Sequence, residues 1–220
     1  MKAFILAAGR GERMRPLTDR IPKPLLHVAG EPLIVHTIKK LAEAGFSELV
    51  INLAHLGDQI EEYLQQGTRW GVNIEYSREA EALETAGGIV QALPLLGDDP
   101  FLVVNGDIWT DFDYSALKNR LPSQVLAHLV LVDNPSHHPE GDFCLDGDRL
   151  AENRHQRLTY SGIGVYSQAL FKGIAPGKYA LAPILHNAVS RSQLSGEYYG
   201  GRWWDIGTPQ RLDQLNQLLS

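Results

Sequence analysis

A loop rich in glycine and arginine follows directly after the first predicted strand of the chain. Residues 3–6 are apolar, and the sequence from position 6 continues as Leu-Ala-Ala-Gly-Arg-Gly-Glu-Arg-Met-Arg-Pro-Leu-Thr, closing on Pro-Lys-Pro at 22–24. The positive charges of this loop are Arg10, Arg13, Arg15 and Lys23. Small residues let backbone N–H groups approach a ligand, and clustered cations are stabilised by a polyanion or by carboxylates. We therefore predict a phosphate-binding loop, although Gly9-Arg10-Gly11 alone is more typical of a solvated turn.

Two better-known glycine motifs do not fit this loop. The Walker pattern requires Gly, four residues and then Gly-Lys-Ser/Thr, a string that the sequence lacks. The dinucleotide-binding fingerprint requires a third glycine where Met14 stands. The loop therefore predicts phosphate binding of another kind.

Composition limits the classes of partner. The chain has 220 residues with apolar residues spread evenly, so we expect one domain over 1–220, with a nucleotide half of about 1–110 and a second half of about 111–220. A net charge of −6 argues against nucleic acid or an anionic membrane as a partner. The single cysteine, Cys144, predicts a buried thiol in a reducing compartment, and we read no signal peptide or membrane span, so we expect a cytoplasmic protein.

Hydrophobic periodicity predicts an α/β fold. Helical and strand patterns alternate from residue 32 to residue 104, which is typical of a parallel sheet covered on both faces. Beyond residue 125 the pattern changes to strands and an Asp146-Gly147 hairpin signal, so we expect mixed sheet. His137 and His138 are interpreted as loop surface, and a terminal helix is expected to turn Leu218 inward with its other leucines.

Two positions before the chain midpoint carry candidate chemistry. Asp107 follows a fully apolar strand, and ligands of open parallel sheets lie beyond the carboxyl ends of strands, although a turn aspartate is the alternative. Thr85 is expected to cap a helix that ends at Pro94. The glycines at 87 and 88 are poor helix formers, so residues 83–88 are either a nucleotide-base contact or a sterically required turn.

The full loop string, followed by Pro-Lys-Pro-Leu-Leu, closely resembles the signature of the sugar-1-phosphate nucleotidyltransferases. The similarity extends to Asp-Ile-Gly-Thr-Pro at 205–209 and so covers nearly the whole chain. It implies a Rossmann-like nucleotidyltransferase fold, with a mainly parallel central sheet, helices on both faces and a mixed-sheet sugar-binding lobe. It also implies two small-molecule substrates, a nucleoside triphosphate and a sugar 1-phosphate; the oligomeric state stays open.

The resemblance assigns roles residue by residue. For catalysis it implies Arg13, Lys23, Asp107 and Asp205, with Asp107 and Asp205 as ligands of Mg²⁺; a lone aspartate before a helix is otherwise a cap or solvated residue. For nucleotide binding it implies Leu6, Ala8, Gly9, Gly11, Glu12, Arg13, Lys23, Leu83, Gly87 and Gly88. For the sugar it suggests Asn105, Asp142 and Asn153, each of which could equally be a turn or cap residue.

Specificity is interpreted from the same resemblance. The short chain and the string Leu-Glu-Thr-Ala-Gly-Gly-Ile at 83–89 are most similar to members that transfer a uridylyl group from UTP to N-acetylmuramate 1-phosphate in bacterial cell-wall recycling. The Glu-Lys-Pro string that contacts the sugar in many members is missing. The alternatives are guanylyl transfer to mannose 1-phosphate and a non-catalytic sugar-nucleotide sensor.

Overall fold

The computed structural model of the chain describes residues 1–122, 124–151 and 156–219. The strands over these residues are β1 Ala3–Leu6, β2 His27–Val28, β3 Glu31–Pro32, β4 Glu48–Leu53, β5 Asn73–Arg78, β6 Phe101–Asn105, β7 Ile108–Thr110, β8 Ala127–Val132, β9 Phe143–Asp146, β10 Arg149–Ala151, β11 Arg157–Tyr166, β12 Leu194–Tyr198 and β13 Trp203–Asp205. The α-helices are α1 Leu33–Glu43, α2 Gly57–Leu64, α3 Glu84–Leu96, α4 Ala182–Ser190 and α5 Pro209–Leu219.

Nine of these strands form one continuous sheet in the order β5-β4-β1-β6-β11-β8-β12-β10-β9. The first four are parallel to one another, and β11 then pairs antiparallel with β6. Beyond β11 the pairing is mixed, because β12 runs parallel to β8 while β9 and β10 form the predicted hairpin. The predicted α/β class is confirmed, and the second half of the chain extends the first half's sheet.

Helices cover both faces of the sheet, as the alternation predicted. On β1, Ala3 and Ile5 face a core that contains residues of α1 and α2, while Phe4 faces a second core that contains residues of α3 and α4. Successive side chains of a strand point to opposite faces, so β1 contributes to both cores. Among the described helices, none combines the length and the hydrophobicity needed to cross a bilayer.

The terminal helix α5 packs over the phosphate loop. Leu212 and Leu215 of α5 share a small third core with Met14 from the loop. Met14 is buried. The position that is glycine in a dinucleotide-binding fingerprint therefore holds an apolar side chain here, and this side chain packs into the third core. The expectation for Leu218 is wrong, since its side chain is exposed; helical geometry places it away from the face that Leu212 and Leu215 share.

The boundaries of α3 differ from the prediction. The helix begins at Glu84 and continues past Pro94 to Leu96, and Thr85 lies within it and not at its cap. Instead of a side-chain cap, the N–H groups of Ala86 and Gly87 donate to the carbonyl oxygen of Tyr179, at 3.0 and 3.2 Å. Pro94 lies in the last turn, so the one intrahelical hydrogen bond that its missing N–H removes is near the end of the helix.

Candidate active site

The phosphate loop holds its shape through contacts between its two ends. The hydroxyl of Thr18, which is buried, donates to the carbonyl oxygen of Gly11 at 2.8 Å. Gly11 has φ of +68°, and a Cβ there would lie 2.9 Å from the methyl group of Thr18. Both the backbone conformation and the close packing therefore favour glycine at this position.

The loop arginines differ in their partners. Arg10 and Arg15 both bind Asp19, at 2.8 and 2.9 Å, and the Arg10 guanidinium is the main cause of the lowered pKa of that carboxyl. Arg13 forms no ion pair with the described part of the chain and is exposed. Carboxylates thus offset two of the predicted loop charges, while Arg13 remains free to contact a ligand.

Lys23 contacts Asp107 directly. Its Nζ lies 2.5 Å from Oδ2 of Asp107, and the lysine is only 9% exposed. The flanking residues Pro22 and Pro24 restrict the backbone on both sides of the lysine. Asp107 follows the end of β6, so the strand and the loop together bring these two predicted residues to the same edge of the sheet.

Asp205 lies beside Asp107 because β13 pairs antiparallel with β7. Asp205 is opposite Ile108 in that register, and the N–H of Ile206 donates to the carbonyl oxygen of Asp107 at 2.7 Å. The carboxylate of Asp205 contacts two basic groups, Nη1 of Arg211 and, at 3.2 Å, Nε2 of His137. His137 is exposed in a turn, as expected of loop surface, and its ring in addition contacts Asp205 of β13.

A cavity of about 340 Å³ opens at the carboxyl ends of β1, β4 and β6. From the predicted site it is lined by Leu6, Ala8, Gly9, Gly11, Glu12, Arg13, Lys23, Asn105 and Asp107. Gly207, two residues after Asp205, completes the lining on the side of α5. Residues far apart in the sequence thus meet where ligands bind in open parallel sheets.

A second cavity of about 420 Å³ adjoins the first and shares Glu84, Thr85 and Asn105 with it. Asp142 lines this second cavity, as the sugar prediction requires, but its carboxylate also accepts from the backbone N–H of Tyr160 at 2.7 Å. The third predicted sugar residue, Asn153, lies outside the described residues.

Leu83, Gly87 and Gly88 do not line either cavity. A Cβ at Gly87 would overlap the carbonyl oxygen of Gly177, and one at Gly88 would lie 2.7 Å from Oε1 of Glu79. The glycines therefore let the backbone of α3 approach its neighbours closely. Of the two alternatives given for residues 83–88, this agrees with a steric requirement for glycine and not with a nucleotide-base contact. Glu84 and Thr85 face the cavities instead, and Glu84 has a left-handed φ of +60°.

The sequence patterns did not identify a buried series of hydrogen bonds that lies beneath the first cavity. Asn52 accepts from the N–H of Ala7 at 2.6 Å and donates to Glu79 at 2.6 Å, and Glu79 accepts from the N–H of Leu83 at 2.9 Å. Asn52 and Glu79 are both buried and both line the cavity. The sequence does contain one indication of this network, because Asn52 is a polar residue in the otherwise apolar half of a parallel strand.

The arrangement matches a known family. The family model described as nucleotidyl transferase matches residues 2–143, well over half of the chain. The chain belongs to the nucleotidyl transferase family. Its members generally use a divalent metal ion.

Relatives of this nucleotidyltransferase cover almost its whole length. It is 54% identical to N-acetylmuramate α-1-phosphate uridylyltransferase of Neisseria meningitidis serogroup B, over 99% of this chain and 98% of the relative. It is 32% identical to the enzyme of the same name from Caulobacter vibrioides, over 94% and 92% of the two chains. A solved Bacillus anthracis structure described as a glucose-1-phosphate thymidylyltransferase matches with a TM-score of 0.87 at 25% identity, covering 100% of this chain and 95% of that one.

Proposed function

We propose that this nucleotidyltransferase transfers the uridylyl group of UTP to N-acetylmuramate 1-phosphate, as part of cell-wall recycling. The observation that carries the proposal is the meeting of Arg13, Lys23 and Asp107 in one cavity, with Asp205 on the adjacent strand. The choice of UTP and of the sugar follows the names of the two relatives that it matches over nearly their full length. A non-catalytic sensor would not need this set of charged groups together.

The reaction joins two anions, so the site must position them and neutralise charge. A phosphate oxygen of the sugar 1-phosphate attacks the α-phosphorus of UTP, the bond from that phosphorus to the β-phosphate oxygen breaks, and pyrophosphate leaves. The acceptor phosphate is already ionised at neutral pH, so it needs no general base. Backbone N–H groups around Gly9 and Gly11, with Arg13, bind the departing phosphates in this account, and Lys23 stabilises charge at the reacting phosphorus.

The two aspartates suit Mg²⁺, the metal we propose for this site. Both offer carboxylate oxygens, the ligands this hard cation prefers, and within the described residues no group of three or more His, Cys, Asp or Glu side chains is placed to hold a metal. Mg²⁺ commonly takes one or two carboxylates and completes its coordination with substrate phosphates and water. Bound by Asp107 and Asp205, it would neutralise phosphate charge during the transfer.

The adjoining cavities suggest how the two substrates divide the site. The first cavity is next to the phosphate loop and is assigned to UTP, and the second, with Asp142 and Tyr160, is assigned to the sugar. Asn105 lines both cavities and ends β6 close to Asp107. In this assignment, Asn105 lies near the junction of the two substrates.

The test is product formation by the purified chain. With UTP, N-acetylmuramate 1-phosphate and Mg²⁺, we expect UDP-N-acetylmuramate and pyrophosphate in equal amounts by mass spectrometry and a pyrophosphate assay. A chelator should stop the reaction and added Mg²⁺ should restore it. If no triphosphate and no sugar 1-phosphate yields pyrophosphate, while sugar nucleotides still bind, the sensor hypothesis is correct and the proposal fails.

A further inference from the structure

Arg211 is a charged residue of the site that the sequence patterns did not single out. It lies in the first turns of α5, and its side chain is only 14% exposed. Its Nη1 contacts both Oδ2 of Asp205 and, at 2.7 Å, Nε2 of His137. The guanidinium therefore neutralises one of the two carboxylates that we assign to the metal.

The two carboxylates of the site are matched in this respect. Asp107 pairs with Lys23, and Asp205 pairs with Arg211 and also contacts His137 at 3.2 Å, so each carboxylate has an internal lysine or arginine in direct contact. A divalent cation and a guanidinium compete for the same carboxylate oxygens, because both are drawn to them by charge. Metal binding at Oδ2 of Asp205 therefore competes with Arg211 for that oxygen.

The guanidinium of Arg211 lies close to that of the loop residue Arg13, next to Gly207. A Cβ at Gly207 would overlap Nη2 of Arg211 and would lie 3.1 Å from Nη2 of Arg13. Gly207 and Arg13 line the first cavity, so the guanidinium of Arg211 lies directly behind its wall at a residue without a side chain. Two guanidinium groups that approach the same side of one glycine can bind oxygens of one phosphate together.

We propose that Arg211 changes its partner when the metal binds. In the metal-free protein its guanidinium pairs with Asp205, and in the metal-bound protein it pairs with a substrate phosphate. The ligand chemistry is a phosphate oxygen, from UTP or from the sugar 1-phosphate. This inference rests on the proposed function only for the identity of those ligands. The competition between Arg211 and the metal requires neither substrate.

The first experiment measures binding of Mn²⁺ alone, as a paramagnetic probe of the Mg²⁺ site, by the loss of its free signal in electron paramagnetic resonance. Arg211→Gln keeps a polar side chain, shorter than that of arginine, and removes the competing charge, so we expect Mn²⁺ to bind on the order of tenfold more tightly than in wild type. Arg211→Lys keeps a cation and should stay within about threefold of wild type. Arg120→Gln removes an arginine that pairs with Glu197 at 2.8 Å, away from this site, and should not change the affinity.

A purely structural role for Arg211 gives the opposite result. If it only orients Asp205, Arg211→Gln leaves Mn²⁺ affinity unchanged or weakens it, and the proposal is overturned. Far-UV circular dichroism and the melting temperature of each variant show whether the fold is retained. Wild-type inactivity toward UTP and N-acetylmuramate 1-phosphate would remove the proposed function without affecting this titration.

The second experiment identifies the phosphate. At saturating Mn²⁺, calorimetry measures binding of a non-hydrolysable UTP analogue and, separately, of N-acetylmuramate 1-phosphate. Arg211→Gln should weaken one of them by about tenfold, and the ligand affected is the one whose phosphate Arg211 contacts. Unchanged affinity for both ligands would contradict the transfer of the guanidinium to phosphate.

Discussion

Nζ of Lys23 lies 2.5 Å from Oδ2 of Asp107, although the two residues are 84 positions apart in the sequence. The pair joins the phosphate loop to the end of β6 and places a nearly buried cation beside a proposed metal ligand. Ion pairs of this kind hold both groups in the orientation that the reaction needs before substrates bind.

Lys23→Ala should reduce kcat by about 10²- to 10³-fold, by analogy with the loss of one preorganised donor, which corresponds to about 2.7–4 kcal/mol in the barrier. The physical reason is that a buried charge at the reacting phosphates is not replaced by solvent. Steady-state kinetics of pyrophosphate release measures this reduction in kcat. Lys39→Ala is the matched control, because Lys39 forms a similar pair with Glu31 at 2.6 Å on the surface. Equal kinetics for the two variants would refute the role given to Lys23.

Asp107→Asn and Asp205→Asn should each abolish detectable turnover while the fold is retained. The changes are nearly isosteric, but each removes one negative oxygen donor from the proposed metal site. Because the metal acts on developing charge, the rate should fall more than UTP affinity, as single-turnover kinetics and calorimetry would show. Asp58→Asn, which alters an exposed pair with Arg78, is the control. Near-normal turnover by either site variant at millimolar Mg²⁺ would exclude that residue as a ligand.

Gly87→Ala should destabilise the protein by about 1–3 kcal/mol, the usual range for a forced overlap in a packed region. The added methyl group would meet the backbone oxygen of Gly177, which cannot move without its loop. Gly88→Ala is the matched comparison, since its methyl group would meet the side-chain atoms of Glu79 and Asn52. Urea unfolding measures both variants. A smaller loss of stability in Gly87→Ala than in Gly88→Ala would contradict the steric explanation.

Glu197 should make the stability of the protein fall in acid. The His128 imidazole, followed by the Arg120 guanidinium, lowers the pKa of Glu197 from its ordinary value of 4.5. Because the folded-state pKa is below the unfolded one, the stabilising contribution is complete above about pH 4.5 and is lost as the pH falls through the folded pKa.

The measurement is urea unfolding of wild type and Glu197→Gln from pH 6 down to pH 3. The variant should lose less stability than wild type over the acid part of this range, because the glutamine side chain does not titrate. Glu31→Gln, which removes a different carboxylate whose pKa Lys39 lowers, shows how much any single paired carboxylate contributes. Parallel pH curves for wild type and Glu197→Gln would show that the pair has no effect on stability.

Local patterns predicted much of this fold. The alternation of helix and strand predicted the parallel part of the sheet, and Asp146-Gly147 predicted the β9–β10 hairpin, because periodicity and turn chemistry are properties of neighbouring residues. The start of α3 could not be predicted in this way. Its first N–H groups bond to Tyr179, about ninety residues further along the chain.

The residues of the candidate site likewise fall into those that a local pattern predicts and those that depend on distant partners. Lys23 and Asp107 stand in recognisable strings, so both could be named from the sequence. No such string contains His137 or Arg211, and none contains Asn52 or Glu79. Only the return of distant segments brings His137 to Arg211 and Asn52 to Glu79. Their roles depend on partners that are far away in the sequence, which a local pattern does not record.

The central claim is the choice of substrates, and one comparison of rates tests it most directly. Initial rates of pyrophosphate release are measured for UTP and GTP, each with N-acetylmuramate 1-phosphate and with mannose 1-phosphate, at fixed Mg²⁺. We predict that UTP with N-acetylmuramate 1-phosphate has a kcat/KM about 100-fold or more above every other pair, the discrimination expected when polar groups of a site are built for one partner. A highest kcat/KM for GTP with mannose 1-phosphate would contradict the proposed function.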